Sequence, residues 1–284
     1  MGKSVQHHVI PASETYPKPI TFDVCWEGDG PLPLLLFVHG FKGFKDWGTF
    51  PLVADFFAAQ GFMFLKMNFS HNGTTPKTLL DFTDLEAFGQ NNFGTELEDI
   101  GRVLDTLALS DLPYDPSKIG IIGHSRGGSI ALIKAAEDER IKAVATWAAV
   151  ADLVGRYAPE DKAAAWEQTG VDYVLNGRTE QQMPLYFQLF TDTRQHAQRY
   201  DVCAAATRLQ KPLLVVHGTA DAAVSPDEAR AIVQSYGEPA ALCLIPEADH
   251  VFGGSHPYSG VSLPAYLEQV CVETSVFFEK NSLL

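Results

Sequence analysis

Basic residues are scarce in this 284-residue chain: 21 lysines and arginines stand against 35 aspartates and glutamates, a formal net charge of -14. That balance excludes the electrostatic footprint with which proteins hold nucleic acid or an anionic membrane surface. Cysteine is also sparse. Cys25, Cys203, Cys243 and Cys271 lie far apart, with no C-x-x-C pair and no His/Cys cluster at metal-ligand spacing, so no metal site is expected and the thiols read as buried in a reducing compartment. No apolar run reaches the roughly 18 residues of a membrane span. Residues 1–8, MGKSVQHH, lack the apolar centre of a secretory signal. A cytoplasmic protein that binds neither membrane nor nucleic acid is the expectation, and the charge excess reads as solubility. No internal repeat or low-complexity tract is visible.

What is present is a strand–helix alternation long enough for a sizeable core. Residues 5–10 and 19–26 read as an opening antiparallel hairpin, the second alternating through Ile20, Phe22, Val24 and Trp26. Residues 32–38 are almost unbroken in their apolarity, as in a strand covered on both faces. Residues 50–60 read as a helix closed by Gly61, and 62–67 as a strand. Residues 96–109 place Leu97, Ile100, Val103, Leu104 and Leu107 at helical spacing. A strand over 119–122 and a helix over 128–139 follow, then a strand at 141–148. After an irregular stretch come a strand at 212–217, a helix at 226–236, a strand at 241–245 and a closing helix over 264–280. This pattern predicts an α/β protein with a doubly wound, mostly parallel sheet formed by residues 1–150 and 207–284. Residues 151–206, helix-prone and rich in aromatics such as Trp166, Tyr173 and Phe187, read as a helical cap inserted over the catalytic end. The alternative is a crossover segment that never meets substrate.

The most informative stretch is Gly123-His124-Ser125-Arg126-Gly127-Gly128-Ser129, between a predicted strand and a predicted helix. The G-x-S-x-G spacing lets a serine hydroxyl project from a sharp turn, with Gly123 and Gly127 removing the Cβ atoms that would obstruct it. Ser125 is thus the candidate nucleophile. A serine needs a histidine base, and the base needs a carboxylate to hold its tautomer. Asp221 follows the apolar strand through His217-Gly218-Thr219-Ala220, and His250 lies in the loop after the strand at 241–245; both sit at strand ends that face the same rim as Ser125. The chain order Ser125, Asp221, His250 is that of the α/β-hydrolases. Asp227 is better read as first-turn helix chemistry. His256 competes within the same loop, while His124 is expected to pack or hydrogen-bond at the elbow. His7, His8, His71 and His196 read as surface or structural. For a tetrahedral oxyanion, Arg126 N–H supplies one donor and the loop His39-Gly40-Phe41-Lys42-Gly43 the other, with Phe41 N–H first choice and Lys42 second.

These motifs, His39-Gly40-Phe41, the elbow, His217-Gly218-Thr219-Ala220-Asp221 and Ala248-Asp249-His250, carry a resemblance. Over residues 20–280 the chain resembles the α/β-hydrolase superfamily, and within it the serine esterases related to dienelactone hydrolases and prolyl-oligopeptidase-type acyl hydrolases. It departs from dienelactone hydrolase proper, whose nucleophile is cysteine. No propeller domain precedes the hydrolase region, which disfavours an oligopeptidase of the usual architecture. Serine in the nucleophile position disfavours dehalogenase chemistry.

The expected function is hydrolysis of carboxylic esters of small to medium, apolar or aryl substrates through an acyl-enzyme, with no cofactor. Amide, peptide or thioester hydrolysis by the same triad is the first alternative, and a catalytically silent binding protein the second. The expected partner is a small-molecule ester, and the chain a monomer or homodimer. Arg126, and after it Lys42 or Arg156, are cations that could hold a substrate carboxylate or pair with the cap.

Overall fold

In a computed structural model, which describes residues 2–237, 240–281 and 283, ten strands and ten α-helices alternate along the chain. β1 (Ser4–Ile10) and β2 (Ile20–Trp26) form the expected antiparallel hairpin, with Ile10 opposite Ile20. The sheet continues through β3 (Leu32–Val38), β4 (Met63–Asn68), β5 (Tyr114–His124), β6 (Ile141–Trp147), β9 (Leu213–Gly218) and β10 (Ala241–Ile245). Its order is β1-β2-β4-β3-β5-β6-β9-β10, antiparallel from β1 to β4 and parallel from β4 onward.

The residues of β3 show why the sheet is sandwiched. Successive side chains of a strand point to opposite faces, and here both sets are apolar. Leu34, Leu36 and Val38 enter one core with Ile100, Leu104, Ile130, Ile133 and Ile232, whereas Leu35 and Phe37 enter the other with Phe57, Val270 and Phe278. The first core lies under α3 (Phe93–Ala108), α4 (Arg126–Glu137) and α9 (Pro226–Tyr236), the second under α1 (Phe50–Ala59) and α10 (Ala265–Lys280). α3 begins three residues ahead of the sequence expectation. The Asn92 side chain accepts from Thr95 N–H and caps it, a signal overlooked at a position that suits this residue type.

Two elements depart from expectation. A short α2 (Leu85–Gly89), capped by Asp84 accepting from Ala87 N–H, lies between β4 and α3, where no element was expected. The stretch read as helical contains α5 (Leu153–Tyr157), α6 (Ala163–Thr169), α7 (Phe187–Gln195) and α8 (Val202–Arg208), but also an antiparallel hairpin of β7 (Val171–Asn176) and β8 (Gln181–Tyr186). The alternation of Val171, Tyr173 and Leu175, followed by Asn176-Gly177, is a strand-and-turn pattern. Helix-prone flanks masked it. α8 packs on α4 and α9, its Val202 and Ala205 lying in the first core.

The hairpin leans on loops that follow the sheet. Gln181 Nε2 donates to Phe82 O (3.2 Å) and Met183 packs with Phe44, Phe82 and Phe88, while just beyond the hairpin Gln188 Nε2 of α7 donates to Asn91 O (2.9 Å). Lys42 Nζ donates to Leu175 O (2.9 Å), which ties the hairpin to the loop after β3.

Candidate active site

Ser125 sits between the end of β5 and the start of α4 with φ 56° and ψ -127°, a region that a non-glycine residue occupies only when its surroundings enforce it. The enforcement is visible. Ser125 N–H donates to Trp147 O (2.8 Å) at the end of β6. A Cβ on Gly123 would lie 2.1 Å from Gly127 O, and one on Gly127 2.4 Å from His39 O. Only bare backbone passes at those distances, so the two glycines of the motif bring β3, β5 and α4 together beneath the serine.

Ser125, Asp221 and His250 converge. His250 Nε2 is 3.0 Å from Ser125 Oγ, and His250 Nδ1 is 2.7 Å from Asp221 Oδ2. The carboxylate only accepts, so Nδ1 carries the proton and Nε2 turns its lone pair to the serine. Asp221 Oδ1 accepts from Ala223 N–H (2.8 Å) and Val224 N–H (2.9 Å). Burial alone would raise the Asp221 carboxyl, but hydrogen bonds from His217, His250 and Val224 N–H outweigh it and hold it well below the usual carboxylate range.

His124 faces this pair as a supporting group. Its Nε2 is 2.9 Å from His250 O, so it donates, and its ring centre is 5.0 Å from that of His250. Burial, aided by the neighbouring His250, pushes it down to about 3. His39 is likewise buried and pushed down to about 4, its Nδ1 2.9 Å from Gly40 O. His256 accepts from Gly48 N–H (2.8 Å) and joins the loop after β10 to the loop after β3; it does not bond to Ser125.

Among the described residues, neither Phe41 N–H nor Arg126 N–H donates to a protein acceptor. Both belong to residues lining a cavity of about 120 Å³ or adjoining its serine: Phe41, Trp47, Phe50, Ser125 and His250 shape it. The Arg126 side chain is buried. It is 5% exposed, bonded to Glu96 Oε1 of α3, and stacked 4.6 Å from the Phe41 ring centre and 5.3 Å from that of Tyr157. Its charge is therefore matched by Glu96, not by the insertion, which it meets through Tyr157. Lys42 is engaged by Leu175 O, and Arg156 by Ala223 O and Glu228.

A second cavity, about 270 Å³, lies beyond Phe41 and is walled by Tyr157, Trp166, Tyr173, Val174 and Leu185 of the insertion. A larger one of about 440 Å³ opens beside Lys211, Pro212, Tyr236, Phe277 and Lys280. It lies at the opposite end of β9 from Asp221, so size alone does not mark the site. Among the described residues no cluster of three or more His, Cys, Asp or Glu is arranged to hold a metal ion, and no helix is long and apolar enough to cross a membrane. Sequence reasoning missed His217 and Glu96. His217 stands four residues before Asp221 at a strand end, a spacing that could have pointed to it.

Residues 49–263 match the Prolyl oligopeptidase family. The chain belongs to that family. Membership in the prolyl oligopeptidase family makes it a serine hydrolase, in agreement with the resemblance drawn from its motifs. Its fold is that of the α/β hydrolases. Est1E from Butyrivibrio proteoclasticus aligns over 97% of this chain and 98% of its own, with a TM-score of 0.69 at 20% identity. The α/β hydrolase GrgF from Penicillium sp. sh18 aligns over 100% of both chains, with a TM-score of 0.74 at 14% identity. The esterase domain of a Rhodothermus marinus protein covers 96% of this chain and 99% of its own, with a TM-score of 0.61 at 20% identity. No curated protein matches the sequence.

Proposed function

We propose that this member of the prolyl oligopeptidase family hydrolyses carboxylic esters through Ser125, His250 and Asp221. The observation that carries the reading is the continuous hydrogen-bond chain from Ser125 Oγ through His250 to Asp221, at 3.0 and 2.7 Å. His250 Nε2 takes the serine proton as Oγ attacks the ester carbonyl carbon, and Asp221 stabilises the resulting imidazolium. The oxyanion is received by Phe41 N–H and Arg126 N–H, with Lys42 N–H the second choice for the first position. His250 then protonates the leaving alkoxide, which departs and leaves an acyl-serine. Water deprotonated by His250 attacks that ester, and the acid is released.

The cavities support a substrate class. The 120 Å³ space at Ser125 suits a small group, and the 270 Å³ space beyond Phe41 suits a larger apolar or aryl group on the other side of the ester. The insertion thereby acts as a cap that selects substrate. The family match favours a second reading, cleavage of an amide or peptide bond by the same triad.

The test is hydrolysis of a p-nitrophenyl ester series from acetate upward, beside matched anilides, with Ser125→Ala and His250→Ala as controls. Ester turnover that both substitutions abolish supports the proposal, and faster anilide turnover transfers it to the amide reading. A folded protein that turns over neither series refutes both.

A further inference from the structure

His217 is the last side chain of β9 before Gly218, fully buried, and absent from the mechanism above. Its Nε2 lies 3.0 Å from Val224 O and 3.2 Å from Asp221 Oδ2. A carbonyl oxygen only accepts, so Nε2 carries a proton, and that one proton is shared between the carbonyl and the carboxylate. The other ring nitrogen, Nδ1, is buried and has no partner among the described residues. A buried polar atom left unpaired weighs against the fold, and a phenylalanine or leucine would fill the site without one. The imidazole is thus in place for what its Nε2 does.

We propose that His217 is a positioning residue that fixes the Asp221 carboxylate in the plane needed by His250; this rests on the triad reading. Oδ2 takes its protons from His250 and His217, while Oδ1 takes the Ala223 and Val224 N–H groups. Val224 closes the circuit, donating to Oδ1 through its N–H and accepting from His217 at its carbonyl. With four donors around it the carboxylate cannot turn about its own axis without breaking bonds on both oxygens. The titratable groups around this arrangement are His250, His217 and, against His250, His124; no lysine or arginine side chain bonds to Asp221 among the described residues.

Sharing Oδ2 also sets its basicity. When His217 donates, less of the carboxylate charge is available to the His250 imidazolium. Removing that donor strengthens the Asp221–imidazolium attraction and moves the acid limb of kcat/KM to higher pH.

The experiment measures kcat, KM and the pH profile on p-nitrophenyl acetate for the wild type, His217→Leu, His217→Gln and His217→Asn, with folding followed by circular dichroism. Glutamine places an amide N–H where Nε2 lies; asparagine places it near Nδ1. The Leu and Asn variants are expected to lose on the order of 10–100-fold in kcat, the scale seen when a partner that orients a functional group is removed, with KM little changed and the acid limb displaced upward. Glutamine is expected to restore most of the rate and the limb. Should the Leu variant fail to fold, the Gln and Asn pair decides. An unmoved limb in a folded Asn variant, or a Gln variant no better than Asn, overturns the proposal. Ser125→Ala runs alongside: if it retains turnover the triad reading itself falls, whatever His217 does.

Discussion

The guanidinium of Arg126 lies 4.6 Å from the centre of the Phe41 ring, so the two residues assigned to the oxyanion touch through their side chains. Their backbones come from different elements, the loop after β3 and the first turn of α4. The stack fixes one against the other, and Glu96 holds the guanidinium from below.

Breaking that buried pair from one side leaves an uncompensated charge. Arg126→Met is expected to destabilise the fold by about 3–5 kcal/mol, and Glu96→Gln/Arg126→Met by less than Arg126→Met alone. Urea unfolding of the full double-mutant cycle measures the coupling. Effects that add within about 0.5 kcal/mol would show that the two side chains act independently.

Asp221→Asn removes the acceptor that fixes the His250 tautomer. Its kcat on a fast ester is expected to fall by about 10⁴ with the fold intact. A loss of only a few-fold would place the carboxylate role elsewhere.

Acid should weaken the fold through His124. Its folded pKa of about 3 lies below the ordinary histidine value of 6.5. Between those values the unfolded chain binds the extra proton, so stability is full above about pH 6.5 and declines as pH falls, by at most about 1.4 kcal/mol per unit. His39, at about 4, has the same sign, whereas Asp99, pushed up to about 6 by burial, works against both. The contribution of His124 is therefore read as a difference: unfolding free energies of His124→Asn should show a shallower pH slope between 4 and 6.5 than the wild type. Parallel slopes would contradict it.

Gly127→Ala places a Cβ 2.4 Å from His39 O and must push α4 away from β3. A loss of at least 10²-fold in kcat is expected from the displaced Arg126 N–H, on the scale of removing one oxyanion donor. Wild-type rates would show that the elbow tolerates the shift.

Tyr173 is exposed on β7 and walls the outer cavity. Tyr173→Ala should raise KM for naphthyl esters by about 2–10-fold, the scale of one aromatic contact, and leave that for ethyl acetate unchanged. Equal effects on both esters would separate the insertion from substrate selection.

The sheet was legible because central strands such as β3, buried on both faces, carry nearly unbroken apolar runs, and because β5, Ser125 and α4 form a strand–turn–helix unit with a distinctive spacing. The positions of Asp221 and His250 followed from the rule that loops after parallel strands share one rim. What the sequence obscured were features decided by contacts distant in the chain. The β7–β8 hairpin packs Met183 against Phe82, Phe88 and Phe44, partners distant in the chain, and its own strand-and-turn pattern was hidden between helix-prone flanks. The fate of Arg126 was hidden for the same reason: a cation beside Ser125 reads as a ligand group until Glu96, thirty residues upstream, is seen to occupy it. His217 was quoted as part of a motif, but its bond to Asp221 depends on the turn that brings the carboxylate back over the strand end.

The tether from Lys42 to the hairpin ends on the main-chain oxygen of Leu175, which every amino acid possesses. The exposed side chains of β7, such as Tyr173, can therefore be exchanged without cutting the link to the loop that carries Phe41. Evolution, or an engineer, has a surface on which preference can drift while the apparatus beneath it stays in register.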